Sequence, residues 1–208
     1  MLQSFLKSVL KNFYVLEGID GAGKSLITSL IQTMWKTSPS LFVTREPTNT
    51  IIGQIARQGF QKKLNPLTVA LLFSADRSEH LFSKKDGIYK MCHQGVQVVC
   101  DRYFFSSLVY QGNKVSEETL LEINKYFPLP QHVFFLDTDP KLCLQRIQNR
   151  AHRDYVEFLP VLKKARYKYM QLFQKFSPST MMIHHIDGSK DANFIAKEII
   201  SIILSADK

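Results

Sequence analysis

The chain has 208 residues, 45% apolar and 22% charged, which is the size of one domain with a sizeable core and the composition of an ordinary globular protein. No apolar run reaches the ~18–20 residues that span a bilayer, and three cysteines without paired or metal-like spacing, Cys92, Cys100 and Cys143, read as buried thiols of a reducing cytoplasm. The net charge of +9 admits a nucleic-acid surface or a set of arginines gathered around a phosphorylated ligand, and the partly apolar settings of Arg45, Arg77 and Arg102 favour the ligand.

Residues 1–12 place Leu2, Phe5, Leu6, Val9 and Leu10 on one helical face. That spacing predicts a small packing helix as an N-terminal extension, too short and interrupted for a signal peptide. Residues 13–16 read as a first buried strand. Gly18-Ile19-Asp20-Gly21-Ala22-Gly23-Lys24-Ser25 follows, the pattern of Gly, four residues, Gly-Lys-Ser. Leu26, Ile27, Leu30, Ile31 and Met34 then recur at helical spacing. Strand, glycine-rich turn and helix form the context of a phosphate-binding loop. The glycines let backbone N–H groups curl around phosphate oxygens, and the new helix adds its dipole. Lys24 supplies a charge to the outer phosphates, and Ser25 a hydroxyl to Mg²⁺.

A second strand is expected over 41–44 and helical spacing returns at 51–56. Asn65-Pro66 opens a longer helix towards residue 82, with Asn as N-cap and Pro at N1. Residues 96–100 form a third strand that ends in Asp101-Arg102-Tyr103. A helix begins after Ser116, with acids in its first turn. Residues 133–136 make the fourth strand, and Asp139-Pro140 opens a helix to about 148. After a polar stretch over 149–154, a basic helix runs on to about 175. From 146 to 168 there are seven Lys/Arg against two acids. Residues 181–186 are the fifth strand, and Asp187-Gly188-Ser189 leads into the last helix.

Five short apolar strands separated by helices argue for an α/β fold of three layers, with a five-stranded parallel sheet flanked by helices in a single domain over 1–208. Ligands bind at the carboxyl ends of such strands. The phosphate loop, Thr44-Arg45-Glu46-Pro47, Asp101-Arg102-Tyr103 and Asp187-Gly188 all fall there. Asp101 suits a Walker-B acid beside Mg²⁺, or a cap on the next helix. Arg102 suits a bidentate phosphate contact or a structural ion pair, and Arg45 has Glu46 next to it as an alternative partner.

These residues resemble the thymidylate kinases, in their bacterial form. The matching stretches are Leu-Glu-Gly-Ile-Asp-Gly-Ala-Gly-Lys-Ser (16–25), Thr-Arg-Glu-Pro (44–47) and Leu-Leu-Phe-Ser-Ala-Asp-Arg (71–77) with His80. Asp-Arg-Tyr (101–103), Ser-Ser-Leu-Val-Tyr-Gln-Gly (106–112) and Leu-Asp-Thr-Asp-Pro (136–140) also match. The resemblance implies a P-loop NTPase fold, ATP and Mg²⁺, phosphorylation of dTMP to dTDP in dTTP synthesis, and a homodimer, with no nucleic acid and no membrane. It implies an ATP site over Gly18, Ile19, Asp20, Gly21, Ala22, Gly23, Lys24, Ser25 and Leu26, with Arg146 and Asp187-Gly188 near the adenine. Mg²⁺ would lie at Ser25 and Asp101. Arg45 and Arg102 would hold the dTMP phosphate, Phe73 would stack on thymine and Arg77 would reach a base carbonyl. Asp20 would contact the sugar 3′-hydroxyl. Ser106 and Ser107 would line the base edge, and Tyr110, with Gln111 beside it, would crowd the sugar 2′ position. Read alone, Phe73 is a core residue on an apolar helix face.

Four departures stand out. Thr48-Asn49 replaces the usual two glycines after Arg-Glu-Pro, though Asn tolerates a left-handed backbone. Leu26 follows Ser25 where the family usually has Thr. The loop-and-helix region after Arg146 is shorter than usual, so the resemblance implies a short lid over about 149–157. Position 21 is Gly, so the loop lacks the arginine of some members, and that lid becomes its expected source. Arg150 and Arg153 are the candidates, Arg153 ahead because Asp154-Tyr155-Val156-Glu157 resembles the lid acid pattern. The catalytic set is then Lys24, Arg102, Asp20 and a lid arginine. A nucleoside kinase and a non-catalytic nucleotide-binding module are the alternatives.

Overall fold

A computed structural model of the chain describes residues 8–148, 158–176 and 181–206. Five strands form one parallel sheet in the order β2-β3-β1-β4-β5. They are β1 Val9–Glu17, β2 Leu41–Arg45, β3 Gln97–Asp101, β4 Leu129–Asp137 and β5 Met182–Asp187. Nine helices lie among the described residues: α1 Lys24–Met34, α2 Ile51–Gln61, α3 Pro66–Phe82, α4 Ile88–His93, α5 Phe104–Tyr110, α6 Glu117–Asn124, α7 Pro140–Gln148, α8 Leu159–Gln174 and α9 Ala192–Ser205. The expected α/β architecture is the one observed.

Interior strand β3 is buried along its whole length, β4 nearly so, and central β1 from Phe13 to Glu17. Strands covered on both faces need unbroken apolar runs, and these have them. Edge strands β2 and β5 are half exposed. Asn65 caps α3 by accepting from Leu67 N, with Pro66 in the first turn, and Ser116 caps α6 by accepting from Thr119 N. Those two helix starts fall where their N-cap signals put them.

The expected helix over residues 1–12 is corrected. Residues 9–12 belong to β1, whose opening alternates exposed Val9, buried Leu10 and exposed Lys11. Pairing of Val9 with Leu129 and Leu10 with Pro130 outweighs the helical spacing. A register shift follows at Asn12, whose φ is +64°. Its N donates to Gln131 Oε1 at 2.8 Å and its Nδ2 to Cys92 O at 3.1 Å. Residues 1–7, and the expected lid at 149–157 with Arg150 and Arg153, lie outside the described residues.

One short helix, α4, went unread in the sequence, and α5 was met only as the helix that Asp101 could cap. Each has only two turns or fewer, so neither builds a detectable apolar period. α5 matters because it starts right after β3. Parallel register aligns Leu16 with Asp101 and Arg45 with Asp101. The ends of β1, β2 and β3 therefore open on one rim of the sheet.

Candidate active site

At the end of β1 the chain turns through Gly18, Gly21 and Gly23, all at positive φ. Gly21 has no alternative: its φ is +81°, and a Cβ there would lie 2.5 Å from the Cys143 carbonyl oxygen on α7. A side chain at position 21, arginine included, would have to displace α7. Gly23 caps α1 without a side-chain bond, so the first N–H groups of the helix stay available to an anion. Lys24 Nζ donates to Gly18 O at 2.9 Å and Ile19 O at 3.0 Å, across the mouth of the loop. Burial, with the Arg102 charge nearby, lowers its pKa to about 8.

Ser25 Oγ donates to Asp101 Oδ2 at 2.9 Å, and Asp101 Oδ1 is buried without a hydrogen-bond partner. A hydroxyl and an unsatisfied carboxylate oxygen, both hard donors, fit a Mg²⁺ ion. Asp101 caps no helix, since Tyr103 is the N-cap of α5 and makes no side-chain cap bond. Ser25 and Asp101 line a cleft with Thr44, Arg45, Thr48 and Asn49. Arg45 is exposed here, and Glu46 turns away from it to pair with Arg77 at 2.8 Å.

A second cavity, of about 190 Å³, has Arg102 in its wall and shares no lining residue with that cleft. Eight of the residues expected at an acceptor site line it: Asp20, Phe73, Arg77, Arg102, Ser106, Ser107, Tyr110 and Gln111. Arg45 does not; it belongs to the cleft of Ser25 and Asp101. Phe73 is half-buried and meets Phe60 edge-on at 6.3 Å between ring centres. It is thus a wall of the cavity rather than a core residue. Arg77 donates from Nε to Glu46 Oε2 at 2.8 Å and from Nη1 to Asn124 Oδ1 at 2.6 Å. Arg102 sits at φ +74°, pairs with Asp20, and donates to Ser106 Oγ at 3.0 Å. Its guanidinium carbon stands 5.4 Å from the Tyr110 ring centre. Gln111 Oε1 is buried beside the cavity without a hydrogen-bond partner.

The turn after Glu46 replaces glycine with side-chain bonds. Neither Thr48 nor Asn49 is left-handed, so the tolerance of Asn for that backbone is not used. Thr48 N donates to Asp76 Oδ2 at 2.8 Å and Thr48 Oγ1 to Asp76 Oδ1. Thr50 Oγ1 caps α2 by accepting from Gly53 N at 3.2 Å. Arg57, unread in the sequence, donates to Pro47 O at 3.1 Å and Thr48 O at 3.2 Å and lines the cavity. No spacing marks it out among the other polar residues of α2.

Glu17 was also missed as a site residue, although it ends an apolar strand. Fully buried, it accepts from Tyr103 N, Ser106 N, Ser106 Oγ and Tyr169 OH. Burial raises its pKa. An acid closing a run of buried residues must have such partners, and that was the available signal. Glu46, His80 and Cys100 bring ligand atoms within 4.8 Å of one another. Glu46 is already matched by Arg77, and His80 Nε2 by Thr44 Oγ1 at 2.7 Å. The cluster is internally satisfied.

Arg146 donates to Ala22 O at 3.3 Å and to Gly188 O at 3.2 Å. It ties the phosphate loop to the turn after β5, the neighbourhood expected for adenine. Leu26 is 58% exposed on the outer face of α1, away from Lys24, which is 6% exposed.

Among known proteins, the family model described as thymidylate kinase matches residues 16–198. A putative thymidylate kinase of Treponema pallidum is 36% identical over 198 residues, covering 93% of this chain and 95% of that protein. A probable thymidylate kinase of Pyrobaculum aerophilum is 38% identical over 161 residues, covering 76% and 81%. One of Methanocaldococcus jannaschii is 36% identical over 168 residues, covering 79% and 83%.

Proposed function

The chain belongs to the thymidylate kinase family, and on that premise we propose how its residues carry ATP-dependent phosphorylation of dTMP to dTDP. The relatives come from a spirochaete and from archaea, so the likeness is not confined to the bacterial form of the family. One observation carries the reading. A cavity with an aromatic wall and three arginines, Arg57, Arg77 and Arg102, opens beside Asp20 of the phosphate loop, and Ser25 and Asp101 line a separate cleft.

The acceptor is a phosphate monoester with a second pKa near 6, so at neutral pH it is largely a dianion and already a nucleophile. It needs no general base. The work is to bring two polyanions together and neutralise the charge between them. Lys24, at the mouth of the loop, meets the outer phosphates of ATP. Arg102 faces the acceptor phosphate, with Asp20 holding its guanidinium. Arg45 reaches the same phosphate from the cleft side. Phe73 stacks on thymine, Arg77 offers N–H groups to a base oxygen, and Ser107 and Gln111 meet the base edge. Tyr110 fills the space that a 2′-hydroxyl would need. Mg²⁺, when bound, would neutralise phosphate charge, and Ser25 and Asp101 are the residues that would hold it. The arginine missing from position 21 would come from residues 149–157, where Arg150 and Arg153 stand. Single-domain organisation and a homodimer are part of the same reading.

Lys24→Ala tests it. The account predicts a folded protein whose turnover of dTMP falls by about 10²-fold or more, as for loss of a charge aimed at the transition state. Normal turnover in a folded Lys24→Ala protein would contradict the assignment.

A further inference from the structure

Three elements distant in sequence meet at one buried carboxylate. Glu17 ends β1 and is 0% exposed. Its Oε1 accepts from Tyr103 N at 2.9 Å and Ser106 N at 3.3 Å, at the start of α5. Its Oε2 accepts from Ser106 Oγ at 2.8 Å and from Tyr169 OH, on α8, at 2.8 Å. The Tyr169 and Ser106 hydroxyls also lie 2.9 Å apart. Ser106 Oγ accepts from Arg102 Nη1 at 3.0 Å, and Arg102 Nη2 pairs with Asp20.

Proton counting gives this cluster a direction. Each hydroxyl has one proton, and Arg102 donates to Ser106 Oγ. The Ser106 proton therefore points inward, to Glu17 or to the Tyr169 oxygen. The Tyr169 proton then completes Glu17. Arg102 itself is unusually constrained: φ is +74°, its N donates to Leu16 O at 2.9 Å, and the next N–H along is held by Glu17. Glu17 thus grips both the backbone after Arg102 and the hydroxyl beneath its guanidinium. Tyr169 is 0% exposed, packs against Phe135 and Phe173, and does not line the cavity. A phenylalanine would serve that packing equally well, so the hydroxyl calls for a separate explanation.

We propose that Tyr169 is a positioning residue for the acceptor, its hydroxyl acting through Glu17 and Ser106 to fix the Arg102 guanidinium against Asp20 at the cavity. The proposal rests on the reading that Arg102 holds the dTMP phosphate. It makes the placement of that arginine depend on α8, an element that contributes no side chain to the cavity.

The test uses the full chain with Tyr169→Phe, Ser106→Ala, the double variant and Arg102→Ala, each shown to be folded by circular dichroism. Tyr169→Phe is expected to raise KM for dTMP about three- to tenfold, with KM for ATP unchanged within about twofold, as for loss of one member of a coupled network. The double variant should be no worse than Ser106→Ala alone. A dTMP KM unchanged by Tyr169→Phe but raised by Arg102→Ala would overturn the proposal and leave the acceptor reading standing. Equal rises in both KM values, or additive effects in the double variant, would overturn it in favour of a merely structural role. A dTMP KM untouched by Arg102→Ala would remove the acceptor reading and the proposal together. If Tyr169→Phe does not fold, Glu17→Gln takes its place, and a normal dTMP KM in that variant overturns the proposal.

Discussion

Lys24 is held in a buried setting beside Arg102 that costs it part of its charge before any nucleotide arrives, although Asp101, Asp20 and Glu17 oppose the shift. With a pKa of about 8, it loses its proton in the free protein as pH rises through that value, whereas a bound polyphosphate favours the charged form. Nucleotide affinity must therefore weaken above pH 8. Between pH 7 and pH 9 the dissociation constant for an ATP analogue should rise about tenfold, following the deprotonated fraction. Calorimetric titration at both values measures it, and a flat profile would mean that the lysine stays charged without ligand. At this scale the sequence was most readable where one residue type does one job. Asp20, Phe73, Arg77, Arg102, Ser106, Ser107, Tyr110 and Gln111 were placed by motif and all border one cavity. It was least readable where a residue works through another. Glu17 and Tyr169 sit 152 positions apart, and Arg57 acts on backbone carbonyls. None of the three carries a local signature of that role. The Thr48 substitution was legible as a departure but not as a solution, because its partner Asp76 lies 28 residues on, inside a helix.

At the level of elements, β4 and β5 share a feature remote from the reaction. His132 Nδ1 and His184 Nε2 lie 2.8 Å apart with their rings stacked. Burial, then the neighbouring His184, lowers the His132 pKa to about 4; burial lowers that of His184, against the opposing charge of Glu198. The unfolded chain takes up a proton near pH 6.5, before the folded one does. Stability contributed by the neutral pair is thus intact above about pH 6.5 and lost as pH falls towards 4. The loss should be on the order of 1–3 kcal/mol. Urea unfolding at pH 7 and pH 5 measures it, and His132→Gln should flatten the difference. Equal stability at the two values in the unaltered chain would contradict the burial argument. Sequence periodicity found all five strands and missed α4 and α5, which are too short to repeat. At residues 9–12 it chose a helix where pairing with β4 dictates a strand. Local pattern fails there because the deciding partners, Leu129 and Pro130, lie more than a hundred residues away.

For the molecule as a whole, sheet order 2-3-1-4-5 brings the ends of β1, β2 and β3 to one rim, where Arg45 lines one site and Arg57, Arg77 and Arg102 line the other. On the proposed reading, part of the +9 net charge serves phosphate recognition rather than a surface field. The proposed function divides the labour: Lys24, Ser25 and Asp101 would serve the donor, and Arg102 with the aromatic-walled cavity would serve the acceptor. That division predicts selectivity by acceptor charge first and by the base second. Thymine differs from uracil by one methyl, which an apolar wall distinguishes by about 1–3 kcal/mol. The most direct measurement is release of ADP from ATP and Mg²⁺ with dTMP, dUMP, dCMP, UMP and thymidine offered in turn. The account predicts strong turnover with dTMP, weaker turnover with dUMP and none with thymidine, which brings no phosphate for Arg102. Turnover with thymidine and none with dTMP would contradict it.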